Sequence, residues 1–200
     1  MGQREQRACG ARGTGRGADW RVPLAFAALA VAGGVDAFFA RRREPPLPVA
    51  ALLDESAHVA TAALCLGAFH PDATPAFVAG AALGAVLIDA DHLPKRLGWD
   101  LLTTATERPC THAAATILAA FLVAMRVEGA RRELALGAAF GLATHLARDT
   151  ATGGDAGVPL LWPLTPRRLT LPYGLYAALL LLAWGAIVRR PRDDQPSPSM

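Results

Sequence analysis

The sequence predicts an all-α integral membrane helical bundle with about five to six transmembrane helices. Three observations carry that expectation. The 200-residue chain is 52% hydrophobic but only 18% charged and 6% aromatic, and its mean hydropathy is positive, +0.28. Its apolar residues fall into six blocks, 22–40, about 50–69, 74–90, 113–127, 133–147 and 171–188. Strand-type alternation is nearly absent, and the blocks are rich in Ala and Gly, which let helix backbones approach closely where no hydrophobic force acts between helices. This composition excludes a disordered chain and a disulfide scaffold. The net charge of +3 is too mild to name a polyanionic partner, and no nucleic-acid role is expected. Cys9, Cys65 and Cys110 are odd in number and far apart, so they form neither a disulfide framework nor a CxxC zinc ribbon.

In chain order, residues 1–21 are Gly- and Arg-rich and read as a flexible basic tail, and residues 191–200 as a polar one. Residues 22–190 read as one membrane-embedded domain. The first block carries Asp36, and its Arg-rich approach and Ala-x-Ala steps also suit a signal peptide; apolar residues continuing past those steps favour a retained helix. Each middle block, taken alone, suits a buried core helix equally well; their number decides for the membrane. The last block has no charge, holds Tyr173, Tyr176 and Trp184, and ends in Arg189 and Arg190, the pattern of a span with interfacial anchors. Lys and Arg divide almost evenly between alternate loops, so orientation does not follow.

The chemistry lies in polar residues at the block ends, because an ionisable group in a membrane segment is costly and points to function. Four clusters stand out: Asp54-Glu55-Ser56-Ala57-His58, Asp89-Ala90-Asp91-His92, Glu107 through His112, and His145 through Asp149 with Thr152. Four of the five histidines lie there beside carboxylates, a donor mix suited to zinc, manganese or iron rather than calcium. His145 and Asp149 are one helical turn apart on one face. Asp89 and Asp91 are expected where a helix gives way to a loop containing Pro94. Each cluster also has a structural reading: an ion pair for His145 and Asp149, a wet helix end for Asp89 and Asp91, a core position for His58, a cap for His112. Cys110 reads as a small apolar filler and His70 as a loop residue. Topology favours the metal reading, since six alternating spans bring all four clusters to one membrane face.

The strings DADHLPKRLG, RPCTHA, HLARDTATGG and GVPLLWPL resemble, in this order, the YdjM-type family of membrane-bound, metal-dependent hydrolases. The resemblance spans about residues 55–172. It implies His58, Asp89, Asp91, His92, His112, His145 and Asp149 as metal-site residues. Thr111 and Thr152 match threonines that would orient the ligands, and Arg108 matches the motif arginine. It also implies a more distant similarity to zinc-dependent phospholipase C and nuclease folds. Ile88 stands where the family has Pro, Leu93 separates His92 from Pro94, Glu107 replaces a His, Ala113 replaces a Ser, and two extra residues lie between Gly153 and Gly157. The function so implied is hydrolysis of a phosphoester or lipid-linked substrate by a metal-activated water. Arg108 (or, less directly, Lys95) would stabilise developing charge and Glu107 would act as base or further ligand. Zinc is the first metal expected, then manganese or iron. The alternative is a metal-binding membrane protein without catalysis, an ion carrier or sensor.

Overall fold

The computed structural model describes residues 21–41, 45–99, 109–152 and 157–190. Both expected tails, save Arg21, lie outside the described residues. The six apolar blocks form six main helices: α1 (Arg21–Ala40), α2 (Leu47–Phe69), α3 (Pro75–Val86), α5 (Ala114–Ala124), α6 (Gly129–Thr152) and α7 (Tyr173–Arg189). After α3 the helix tightens into a 3-10 turn, Leu87–Asp91, followed by the five-residue α4, His92–Arg96. The DADH segment, expected at the edge of a loop, is therefore held in continuous helical turns, and Pro94 falls inside α4. No strand longer than an isolated bridge occurs among the described residues.

Local chemistry sets the helix starts. Pro75 occupies the first turn of α3, where its missing N–H costs nothing, and the Thr74 hydroxyl accepts from Phe77 N at 3.2 Å. Three stretches are long and apolar enough to cross a membrane: Arg21–Ala40, Leu47–Phe69 and Pro75–Pro94. Leu24, Phe26, Leu52, Leu118, Leu122, Leu181 and Leu182 all project outward. Such a rim is at home in lipid and would be a liability in water.

The tightest packing joins α3 to α6. Gly80 and Gly84 on α3 face Gly137 and Gly141 on α6, a small-xxx-small pair on both partners. A Cβ added to Gly80 would run into the Leu134 carbonyl, and one on Gly84 into that of Ala138. Reciprocally, Gly137 abuts the Phe77 carbonyl and Gly141 that of Ala81. Backbone therefore lies on backbone, and the C-terminal end of α3 is fixed against the C-terminal half of α6. A second core joins α1, α2 and α7 through Ala25, Ala32, Ala60, Leu64, Tyr176, Leu180 and Ala183. Within it the Thr61 and Tyr176 hydroxyls share a 2.6 Å hydrogen bond.

The segment after α6 folds back over the same end of the bundle. Gly157 turns with φ +56, and Val158 and Leu169 exchange backbone hydrogen bonds at 3.0 and 2.8 Å. Ala114 N at the start of α5 donates to Leu160 O, and Leu171 N to Thr150 O. These bonds hold the turn before α5 beside α6, which places His112.

Candidate metal centre

Asp89 reaches the site from the 3-10 turn, His145 and Asp149 from α6, His112 from the turn before α5 and His58 from α2. The α3–α6 glycine contact is the cause of the first meeting: His145 Nδ1 lies 2.8 Å from Ala85 O near the end of α3. A carbonyl only accepts, so Nδ1 carries a hydrogen, and Nε2 is the nitrogen that turns toward the carboxylates. That Nε2 is buried without a hydrogen-bond partner, 3.4 Å from Asp89 Oδ1 and 3.6 Å from Asp149 Oδ2.

His112 repeats the arrangement with a carboxylate in place of the carbonyl. Its Nδ1 lies 3.1 Å from Asp91 Oδ2, while its Nε2 is 3.1 Å from Asp89 Oδ1 and 3.6 Å from Asp149 Oδ2. Burial alone would lower the pKa of this ring, but hydrogen bonds with Asp89 and Asp91 and the charges of Asp91 and Asp149 outweigh it and raise it. His92, partly exposed, brings its Nε2 to 3.7 Å from Asp89 Oδ1 and 3.9 Å from Asp91 Oδ1. His58 stacks face to face on His145 at 3.6 Å, its Nε2 3.4 Å from Asp149 Oδ1.

Three overlapping groups could each grip an ion: His58, Asp89 and His145; Asp89, His92 and His112; and the fully buried His112, His145 and Asp149. Two ligands at zinc distances of ~2.0–2.1 Å in a tetrahedral shell lie about 3.3 Å apart. The nitrogen–oxygen separations here, 3.1 to 3.6 Å, bracket that value. Each anchored ring also has its far nitrogen tied to an acceptor, the arrangement that orients histidine ligands. The residues present thus fit a divalent metal.

All seven expected metal-site residues are brought together in this region. Asp91 takes its place behind His112, on the nitrogen that faces away from Asp89. Thr111 leaves its hydroxyl buried without a hydrogen-bond partner, and Thr152 donates to Arg148 O at 3.0 Å and lines the cavity beside Asp149. Glu107 and Arg108 lie outside the described residues, as does the side chain of Lys95. His70 caps the C-terminus of α2, exposed, against the edge of Phe77, and Cys110 is a free thiol.

Four residues were not assigned a site role from sequence. Glu55, one turn before His58, lies beside Asp89. Arg148, 2% exposed, places Nη1 2.6 Å from Asp54 Oδ1 and 3.0 Å from His58 Nε2, and Nη2 2.9 Å from Asp36 Oδ1. Beside them opens a cavity of about 840 Å³, polar where Glu55, Asp89, His92 and Asp149 line it and apolar along Ala37, Phe39, Leu47 and Ala51. A signal was present for Glu55, since residues three apart on a helix share a face. For the pairing of Asp36 with Arg148, 112 residues apart, the lone acid in an apolar block was the one clue.

The bundle with its buried histidine–carboxylate centre defines a multi-pass helical membrane protein. The family model of the YdjM inner membrane protein matches residues 53–197, well over half of the chain. The chain belongs to that family, and its place is the cell membrane. No curated protein and no solved structure matches it.

Proposed function

We propose that this protein is a membrane-bound, metal-dependent hydrolase acting on a phosphoester or lipid-linked substrate. One observation carries the reading: two buried imidazoles, His112 and His145, are each tied at Nδ1 and present Nε2 toward the same two carboxylates, Asp89 and Asp149. Two nitrogens and two carboxylates brought to one point by three separate elements make the donor set that a divalent ion needs. His92 stands as a further ligand beside this centre and His58 backs it by stacking on His145, with zinc the metal best suited to the donors and manganese or iron next.

The chemistry such a centre supplies when loaded is a water with its pKa lowered toward ~7. The chain's own residues then have these tasks. Asp91 and the Ala85 carbonyl hold the two rings in the ligating tautomer. Glu55, beside Asp89 and open to the cavity, takes a proton from the attacking water in its ionised form, the task the sequence offered to Glu107. The apolar wall of Ala37, Phe39, Leu47 and Ala51 accommodates a hydrophobic tail and turns the hydrolysable head toward the histidines. Arg108 keeps its expected task of stabilising developing negative charge.

The test is a panel of phosphoesters and phospholipids presented in micelles to detergent-purified protein, with zinc or manganese added back after chelation. Metal-dependent turnover that falls at least a hundredfold in Glu55→Gln and His145→Ala is the expected outcome. Metal flux into proteoliposomes without hydrolysis of any substrate would make the protein a carrier instead.

A further inference from the structure

α1 lies before the residues matched by the family model, which begin at 53, yet it supplies a charged group to the centre's surroundings. Asp36 is 8% exposed in a 20-residue apolar helix. A carboxylate in that position is tolerated only when paired, and its pairing is complete. Oδ1 accepts from Arg148 Nη2 at 2.9 Å and Oδ2 from the Tyr173 hydroxyl at 3.3 Å. Arg148 is rigidly forked, so fixing Nη2 fixes Nη1 as well. Nη1 in turn donates to Asp54 Oδ1 and to His58 Nε2.

Guanidinium has no lone pair to offer, so the His58 nitrogen that meets it must be an acceptor. His58 then carries its hydrogen on Nδ1 and lies flat on His145, whose own Nε2 faces the proposed metal. The neighbour of Arg148 in sequence, Asp149, is one of the two carboxylates there. The clamp therefore sits directly behind two of the groups that shape the centre.

We infer that Asp36 is a positioning residue of the site: through Arg148 it sets the tautomer and orientation of His58, and this ties the last turns of α1 to the folded site. The inference concerns the same centre as the proposed hydrolase and rests on that reading only for its effect on metal affinity. Cleavage between Asp36 and Leu47 would leave Arg148 buried with Asp54 as its one remaining carboxylate.

The experiment combines three readouts on detergent-purified protein. Intact-mass analysis reports whether residues 21–40 are present. Side-chain nitrogen NMR of isotope-labelled histidine, without metal and assigned with His58→Gln, reports the tautomer of His58. Cobalt titration reports affinity. The expected results are an intact α1 and a His58 protonated at Nδ1 in the wild type. In Asp36→Asn a mixture of His58 tautomers and a cobalt affinity about 10- to 100-fold weaker, the usual effect of losing a residue that orients a ligand, are expected. Asp36→Glu restores part of both, and Ala30→Ser, on an exposed position of the same helix, changes neither. If Asp36→Asn fails to purify as a single species, Tyr173→Phe removes only the second hydrogen bond and gives a smaller shift of the same signal. A mature protein lacking α1, or an unchanged His58 spectrum in these variants, overturns the inference. A wild type that binds no cobalt while its His58 signal still responds to Asp36→Asn overturns the metal reading and leaves the positioning role standing.

Discussion

At His112 proton and metal compete directly. Its ring faces a carboxylate at each nitrogen, 3.1 Å away on both sides, and its pKa is raised above the ordinary histidine value. A doubly protonated ring donates to both carboxylates and has no lone pair for an ion, so binding must expel the Nε2 proton. Metal affinity is accordingly expected to rise as pH increases through this raised pKa and to fall as pH drops. Cobalt titrations between about pH 6 and pH 8 check the sign, and His112→Gln should flatten the dependence. Asp91→Asn addresses the same ring from behind: it keeps an acceptor at Nδ1 but removes the charge, so the affinity should fall about tenfold while the dependence moves to lower pH. Arg148 gives a stability prediction. Replacing it with Ala leaves Asp36 buried without a cation, and loss of one partner of such a pair costs about 3–5 kcal/mol, to be read as a lowered unfolding midpoint in detergent.

The α3–α6 pair carries the site as a rigid frame, because Asp89 follows directly from α3 and His145 and Asp149 stand on α6. Gly141→Val places a side chain against the Ala81 carbonyl and the Ala85 backbone nitrogen. Overpacking of this kind costs about 1–3 kcal/mol and would push Ala85 away from His145. The expected outcome is a protein that loses both thermal stability and metal affinity. Gly185→Ala on α7 meets open space and should gain about 0.5–1 kcal/mol of helix stability with metal binding unchanged. Thermal melts and cobalt titrations on the two variants separate the glycines that permit close approach from one that does not. Among the helices, the apolar blocks were legible because each is nearly unbroken over 15 to 20 residues. The 3-10 turn was not, since its LIDAD sequence carries no Gly or Pro and the tightening follows from how α3 is held against α6.

Across the whole molecule, convergence of the four polar clusters could be read from alternation alone: helix ends at every second turn of the chain face one side. What alternation does not give is which nitrogen points where. The Nδ1 anchors of His112 and His145 depend on a backbone carbonyl 60 residues away and a carboxylate 21 residues away, distances at which no local pattern acts. Glu55 was legible only through its helical spacing from His58. Arg148 reads in sequence as one more charge at a helix end, and only the bundle reveals it as buried between α1 and α2. The outward Leu and Phe side chains and three membrane-length helices fit the inner-membrane family to which the chain belongs.

On the reading proposed above, the convergent Nε2 atoms of His112 and His145 hold a divalent metal with Asp89 and Asp149. Elemental analysis of gently purified protein, before and after metal is added back, tests it most directly when wild type is compared with His145→Ala and Asp149→Ala. At least one equivalent of zinc, manganese or iron in the wild type, lost in both variants while their helical content is retained, is the predicted result. A wild type that stays metal-free after re-addition, or variants that keep the full complement, would contradict it.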